Sequence, residues 1–475
     1  MDDCCASGNG ERYDLIVVGA GSAGFSAAIT AEGNGAKVAL IGHGTIGGTC
    51  VNVGCVPSKA MIRAGEAIHG AKSASRFPGL AGDAQVENWA KLAASKDDLV
   101  DELRQKKYAD LLPEYENVDY FDEGPARIVE GGVQIGERMI QAPKIIIATG
   151  GRPSLPPIKG IDEVPTLDST ELLDLKILPK SLIFIGGGYI GSELALMMAR
   201  MGVEVTIICR SRLLPGAEPE ISEALTASFR AEGITMYCGI TYDACRQDSS
   251  GVTICIEHEG QRLELTAESL AVMTGRTPNT DGLGLENVGV ALDRRGAIVV
   301  GDNMQTSNPD IYAAGDVTNR DQFVYMAAYG AKLAAKNAVV MGSESYDNSA
   351  MPWVVFTDPQ VAGVGLSEAG AIEAGYDVKA SLVPLDQVPR ALAARDTRGL
   401  VKLVADRKTD KLLGGQIMAP EGSDSIQTLV MALKFGMTAK ALGETIFPYL
   451  TTVESLKLAA QTFDKDVTKL SCCAG

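Results

Sequence analysis

Two glycine-rich turns, each set between a short apolar strand and a helix, constrain the fold of this chain more than any other feature. The first, Gly19-Ala20-Gly21-Ser22-Ala23-Gly24, follows the apolar run Leu15-Ile16-Val17-Val18. A small-residue helix is expected over 25–32 and a second strand over 36–41. The second turn, Gly186-Gly187-Gly188-Tyr189-Ile190-Gly191, follows Ser181-Leu182-Ile183-Phe184-Ile185. There a helix over 192–201 and a strand over 203–208 are expected. One such motif is a weak signal. Two, each in strand–turn–helix–strand context, point to two Rossmann-like dinucleotide-binding units in an α/β chain. Glycine lets the backbone approach a pyrophosphate, which sits among the unpaired N–H groups of a helix N-terminus.

The rest of the chain divides around these units. Ile145-Ile146-Ile147-Ala148-Thr149-Gly150 reads as a strand meeting a glycine turn, and Pro153, Pro156 and Pro157 mark a linker. A related strand precedes Thr274-Gly275-Arg276, and the run 306–316 combines a strand with an acidic end at Asp316. From about residue 346 the pattern becomes that of a separate α+β domain. The expected organisation is a first dinucleotide domain over 1–150, a second over 151–272, a return to the first over 273–345, and a C-terminal domain over 346–475.

Net charge is −17 and the sequence pI about 4.8, which argues against a nucleic-acid partner, since phosphate binding needs a basic face. No apolar run reaches membrane-spanning length, and the polar start is not a signal peptide, so a cytoplasmic protein is expected. In that compartment paired cysteines are catalytic or metal-binding more often than structural. Ten cysteines are also too few for a disulfide scaffold in a chain of this length.

Two dinucleotide sites beside a dithiol suggest a flavin and a nicotinamide passing electrons to sulfur. After the strand of the second unit stand Arg210 and Arg212, suited to a 2′-phosphate, so the nicotinamide is read as NADPH. In the first unit Gly42 stands where an acidic ribose partner is usual, which weakens one adenosine contact. The dithiol is Cys50 and Cys55, expected to open a helix that continues through Lys59 and Arg63. A helix N-terminus and nearby cations favour thiolate, and the spacing suits either a disulfide or one soft metal ion. A second pair, Cys472-Cys473, lies on a polar tail with no evident packing role. Cys209, Cys238, Cys245 and Cys255 read as structural, and Cys4-Cys5 as an inert end.

The run Gly47-Gly48-Thr49-Cys50-Val51-Asn52-Val53-Gly54-Cys55-Val56-Pro57-Ser58-Lys59 resembles the active site of the flavoprotein disulfide reductases. The resemblance covers almost the whole chain. It implies FAD at the first site, on Gly19, Gly21, Gly24, Gly48, Thr49, Lys59, Thr149, Gly150 and Asp316. It implies NADPH at the second, on Gly186, Gly188, Tyr189, Gly191, Glu193, Arg210, Arg212 and Gly275. It also implies a Lys59–Glu193 ion pair near the flavin and Tyr189 as a gate over the nicotinamide pocket. The family forms homodimers in which the partner's C-terminal domain completes each active site.

One departure redirects the chemistry. Disulfide-reducing members carry His-Pro near the C-terminus, the histidine protonating the leaving thiol. Here the sequence is Phe447-Pro448-Tyr449-Leu450-Thr451, and no histidine follows His258. A phenyl ring transfers no proton, so small disulfides are disfavoured substrates. A thiophilic metal ion needs no proton at a leaving group and prefers thiolates. The cysteine tail, the Phe447 run and Lys457-Leu458-Ala459-Ala460-Gln461-Thr462-Phe463 resemble the members of this family that act on Hg(II). That resemblance implies Hg(II) as substrate, passed from Cys472 and Cys473 of one subunit to Cys50 and Cys55 of the other. It places Cys55 against the flavin, makes Cys50 the exchange thiol, and sets Tyr449 and Tyr108 along the metal's path. The alternative is an NADPH-dependent reductase of a small disulfide. A metal-storing flavoprotein without turnover is disfavoured, since storage needs no electron supply.

Overall fold

The computed structural model describes residues 12–465 except 341 and 343, so Cys472, Cys473, Cys4 and Cys5 lie outside the described residues. The chain forms two compact units. Among the described residues, one comprises those within 12–58, 91–154 and 275–347, the other those within 59–90, 155–274 and 348–465.

The first unit is built on five parallel strands. Strand β1 (Leu15–Val18) is central, with β2 (Val38–Ile41) and Val118–Phe121 on one side and Lys144–Ile147 and Ile311–Ala313 on the other. Numbered along the chain, this is the order 3-2-1-4-5 of a dinucleotide-binding sheet, whose ligand crevice opens where the order reverses beside the first strand. All four residues of β1 and of β2 are buried, as expected for a parallel sheet covered on both faces. Helix α1 (Ser22–Glu32) and the helix Val324–Val339 pack together. A separate three-stranded antiparallel sheet, Ala126–Val129, Gly132–Ile135 and Arg138–Gln141, contributes Ile128, Val133, Ile135 and Ile140 to the same core.

The second unit repeats the parallel plan. Its sheet runs Thr235–Cys238, Glu204–Cys209, Ser181–Ile185, Ser269–Val272 and Thr166–Leu167. An antiparallel meander over Thr241–Asp248, Gly251–His258 and Gln261–Ala267 packs its apolar face into that core. The unit also holds a five-stranded antiparallel sheet in the order Pro352–Val355, Gln360–Gly365, Leu412–Ala419, Leu400–Asp406 and Val378–Pro384. The helices Gly422–Lys434 and Glu454–Gln461 cover it through Ile426, Leu429, Leu456 and Ala459.

Within this unit Lys402 is only 3% exposed, and its ammonium meets Glu218 at 3.1 Å, Glu220 at 2.8 Å and Glu368 at 2.7 Å. A buried ammonium is tolerated only with such compensation, so these contacts fix how the strand carrying Lys402 meets the Glu218–Glu220 segment. The α/β class expected from the two glycine motifs, with an added α+β portion, is the architecture found.

Candidate active site

The first glycine turn works because side chains are excluded from it. Gly19 has φ +119°, and a Cβ there would lie 2.3 Å from the Ala148 carbonyl oxygen. A Cβ on Gly24 would lie 1.7 Å from the Gly19 carbonyl oxygen. Gly21 caps the N-terminus of α1 without a side-chain hydrogen bond, leaving the first N–H groups of that helix for a ligand. The second turn uses the same geometry. Gly186 has φ +116° and would place a Cβ 2.5 Å from the Met273 oxygen, and Gly191 would place one 2.5 Å from the Gly186 oxygen. Gly188 caps the helix Tyr189–Arg200, again with no side-chain cap, and the space where its Cβ would stand is open. Both turns therefore present backbone donors at a helix end with room for a pyrophosphate, which fits two dinucleotides.

The dithiol departs in one respect from the single helix expected. Cys50 lies within a short helix, α2 (Gly48–Asn52), and Cys55 begins a separate helix, α3 (Cys55–Lys72). The break falls at Val53, whose backbone leaves the helical region at φ −138°, and at Gly54, whose missing Cβ would sit 3.0 Å from the Thr49 oxygen. Cys55 rather than Cys50 thus occupies the N-terminus of the long helix, where the backbone dipole favours thiolate. Both cysteines are half-buried.

The loop that carries them is tied to the first turn. Gly47 N–H donates to the Ala20 oxygen at 2.9 Å, and a Cβ on Gly48 would lie 2.6 Å from the Gly21 Cα. Asn52, to which sequence reasoning gave no role, donates to the Ile46 oxygen at 2.8 Å and the Gly48 oxygen at 2.9 Å. Its own amide oxygen takes Arg104 at 3.1 Å. An amide side chain inside this cysteine loop was the available signal, because two donors and an acceptor suit a loop clamp.

Tyr108 is drawn into the same frame. Its hydroxyl is 3.2 Å from the Ser22 Oγ, and its ring packs edge-on against Phe25 at 4.8 Å. The Tyr108 ring also lies beside Gly47, 3.1 Å from where a Cβ would stand. Burial pushes its phenol up, the Ser22 bond opposes this, and the charges of Cys50 and Cys55 add to the rise. The tyrosine therefore stands in the field of the dithiol and stays protonated.

Elsewhere in the first unit, Thr149 Oγ1 donates to the Asn279 oxygen at 2.7 Å, and Asn279 Nδ2 returns a bond to the Thr149 oxygen at 3.0 Å. Gly150 has φ +70° with open space at its Cβ position. Asp316 accepts from Arg276 Nε at 3.1 Å, a partner sequence reasoning did not name.

In the second unit, Lys59 Nζ lies 2.7 Å from Glu193 Oε2 and 4.8 Å from the centre of the Phe356 ring. Tyr189 stacks on Trp353 with ring centres 5.6 Å apart, and burial pushes its phenol up to about 12. Arg210 is exposed at the strand end. Arg212 instead directs Nη2 to the Pro215 oxygen at 3.1 Å and the Ala217 oxygen at 2.7 Å, so part of its guanidinium holds the following loop. Gly275, which belongs to the first unit, is exposed at φ +136°. Tyr449 is half-exposed, and Phe447 packs against the core of the C-terminal sheet.

The chain belongs to the pyridine nucleotide-disulphide oxidoreductases, whose family model matches residues 13–335 and whose dimerisation-domain model matches residues 351–460. Among curated relatives, it is 46% identical to a mercuric reductase of Staphylococcus aureus over 98% of this chain and 84% of that protein. It is 45% identical to a mercuric reductase of Streptomyces lividans over 98% of both. Among solved structures, it resembles the Cu(II) complex of the HOCl-induced flavoprotein disulfide reductase RclA from Escherichia coli. That likeness has a TM-score of 0.84 at 30% identity and covers 95% of this chain and 99% of that one.

Proposed function

We propose that this chain catalyses the NADPH-dependent reduction of thiolate-bound Hg(II) to Hg(0). FAD, which the Gly19, Gly21 and Gly24 turn at the N-terminus of α1 would hold, would supply the two-electron chemistry between NADPH and the metal. The observation that carries the reading is position 447. Where disulfide-reducing members place the histidine that protonates a leaving thiol, this chain places Phe447 against an apolar core. A substrate held between thiolates needs no such proton. The near full-length likeness to mercuric reductases supports the same conclusion.

In this reading residues 1–150 and 273–345 hold FAD, residues 151–272 hold NADPH, and residues 346–475 form the subunit interface. The Gly19, Gly21 and Gly24 turn receives the FAD pyrophosphate, and Gly186, Gly188 and Gly191 that of NADPH. Gly48, Thr49, Thr149, Gly150 and Asp316 complete the flavin site, while Arg210, Arg212 and Gly275 complete the nicotinamide site. Tyr189 gates the nicotinamide pocket. The Lys59–Glu193 pair keeps a cation one helical turn beyond Cys55. Cys50 accepts the incoming metal and Cys55 holds it for reduction, with Tyr108 and Tyr449 lining the approach. Cys472 and Cys473 of the partner subunit deliver the metal, so each active site of a homodimer draws on both chains. Reduced thiols and NADPH place the reaction in the cytoplasm.

The test is NADPH oxidation by purified holoenzyme with a small thiol in excess, with and without Hg(II), and with oxidised glutathione or lipoamide in its place. Consumption that requires Hg(II) is expected. Consumption driven by either disulfide and indifferent to Hg(II) would establish the alternative reductase.

A further inference from the structure

The sulfur atoms of Cys209 and Cys238 lie 3.3 Å apart, forming a second thiol pair within the second unit. The sheet holds them there. Each is the last residue of its strand, Glu204–Cys209 and Thr235–Cys238, and the two are direct partners in a parallel ladder. Adjacent strands run about 4.8 Å apart. That lies inside the Cα separation of about 4.4–6.8 Å that a disulfide spans. Both residues are thiols in this structure.

Their surroundings differ in the way an exchange pair requires. Cys209 is 4% exposed and donates its S–H to Cys238. Cys238 is half-buried and lines a surface pocket with Arg212, Ser222, Glu223, Thr226 and Arg230. The Cys209 hydrogen bond lowers the Cys238 thiol, burial opposes it, and Arg230 and the Leu213 N–H assist, leaving Cys238 at about 7. The same hydrogen bond, together with burial, pushes Cys209 up. An accessible thiol that ionises near neutrality beside a buried, protonated one provides a nucleophile and a resolving thiol.

We propose that Cys209 and Cys238 form a second redox-active dithiol, which closes to a disulfide by exchange with a small anionic disulfide entering past Arg212 and Arg230. Cys238 thiolate attacks one sulfur of the incoming disulfide, forming a mixed disulfide and releasing one small thiolate. Cys209 then gives its proton to solvent and attacks the Cys238 sulfur, releasing the second small thiolate. The two cysteines are oxidised by two electrons and the incoming disulfide is reduced to two thiols.

The test uses the full-length holoenzyme incubated with oxidised glutathione, quenched in acid, alkylated and mapped by peptide mass spectrometry. Most molecules are expected to carry a Cys209–Cys238 cross-linked peptide pair lighter by two hydrogens and free of alkyl groups. The C209S variant is expected to retain glutathione on Cys238, and C238S to carry none on Cys209. Full alkylation of both cysteines in the wild-type enzyme overturns the proposal, as does a glutathione adduct on Cys209 in C238S.

Discussion

Lys59 Nζ sits 2.7 Å from Glu193 Oε2, while Glu193 Oε1 accepts the Phe356 backbone N–H at 2.8 Å. Both oxygens of this carboxylate, whose side chain is only 7% exposed, are therefore engaged. Removing the cation strands a buried charge. Breaking a fully buried pair costs about 3–5 kcal/mol. The Lys59 side chain is 33% exposed, and water reduces that cost. Lys59→Met is expected to lower stability by about 1–3 kcal/mol in denaturant unfolding, with Lys59→Arg retaining most of it.

A second carboxylate sets the acid limit. Glu232 takes two bonds from Arg200 at 2.7 and 2.8 Å, lies 3.2 Å from His69 Nδ1 and meets Arg398 at 3.3 Å. Burial pushes its pKa up, but the hydrogen bonds from Arg200 and His69 outweigh burial and bring it down to about 2 from an ordinary 4.5. A depressed carboxylate contributes stability that is complete above the unfolded value and is lost as pH falls toward the folded one. The contribution is on the order of 3 kcal/mol. Glu232→Gln should therefore be clearly less stable than wild type at pH 7, with the gap closing between pH 5 and pH 2. Urea midpoints measured across that range check it, and a gap independent of pH would contradict it.

Phe447 separates proton transfer from packing. It lies against the C-terminal core, so Phe447→His should lose about 1–2 kcal/mol of stability from reduced apolar burial. It should gain no oxidised-glutathione reductase activity, because the substrate pocket is unchanged. Turnover of glutathione disulfide by this variant would mean the histidine was the only missing part.

How much of this was legible in the sequence depended on whether the physics was local. Gly19, Gly24, Gly186 and Gly191 could be read directly, because positive φ or backbone contact at their Cβ positions leaves glycine as the only residue that fits. The helix break between Cys50 and Cys55 was not legible, since Gly54 within a run of helix-compatible residues does not announce where the backbone turns. Tyr108 beside Ser22 joins residues 86 apart in the chain, and Glu232 with Arg398 joins residues 166 apart. Such pairs arise only after the sheets form. Cys209 and Cys238 read as structural for the same reason, because sequence shows two strand ends but not that they are neighbours in register.

The terminal pair carries its own prediction. Replacing Cys472 and Cys473 with Ala should leave flavin content and the Cys50–Cys55 dithiol intact, yet slow turnover of Hg(II) presented as its complex with excess small thiol by at least tenfold. Stopped-flow kinetics with thiol-complexed Hg(II) read this directly. Unchanged turnover under excess thiol would remove the relay from the account.

The central claim is that the electrons of NADPH end on mercury, and the direct measurement is the yield of volatile Hg(0) against NADPH consumed by the holoenzyme under excess thiol. One Hg(0) released per NADPH oxidised is predicted, with none formed when Cys50 and Cys55 are both replaced by Ala. NADPH consumption that leaves all the mercury in solution as Hg(II) would contradict it.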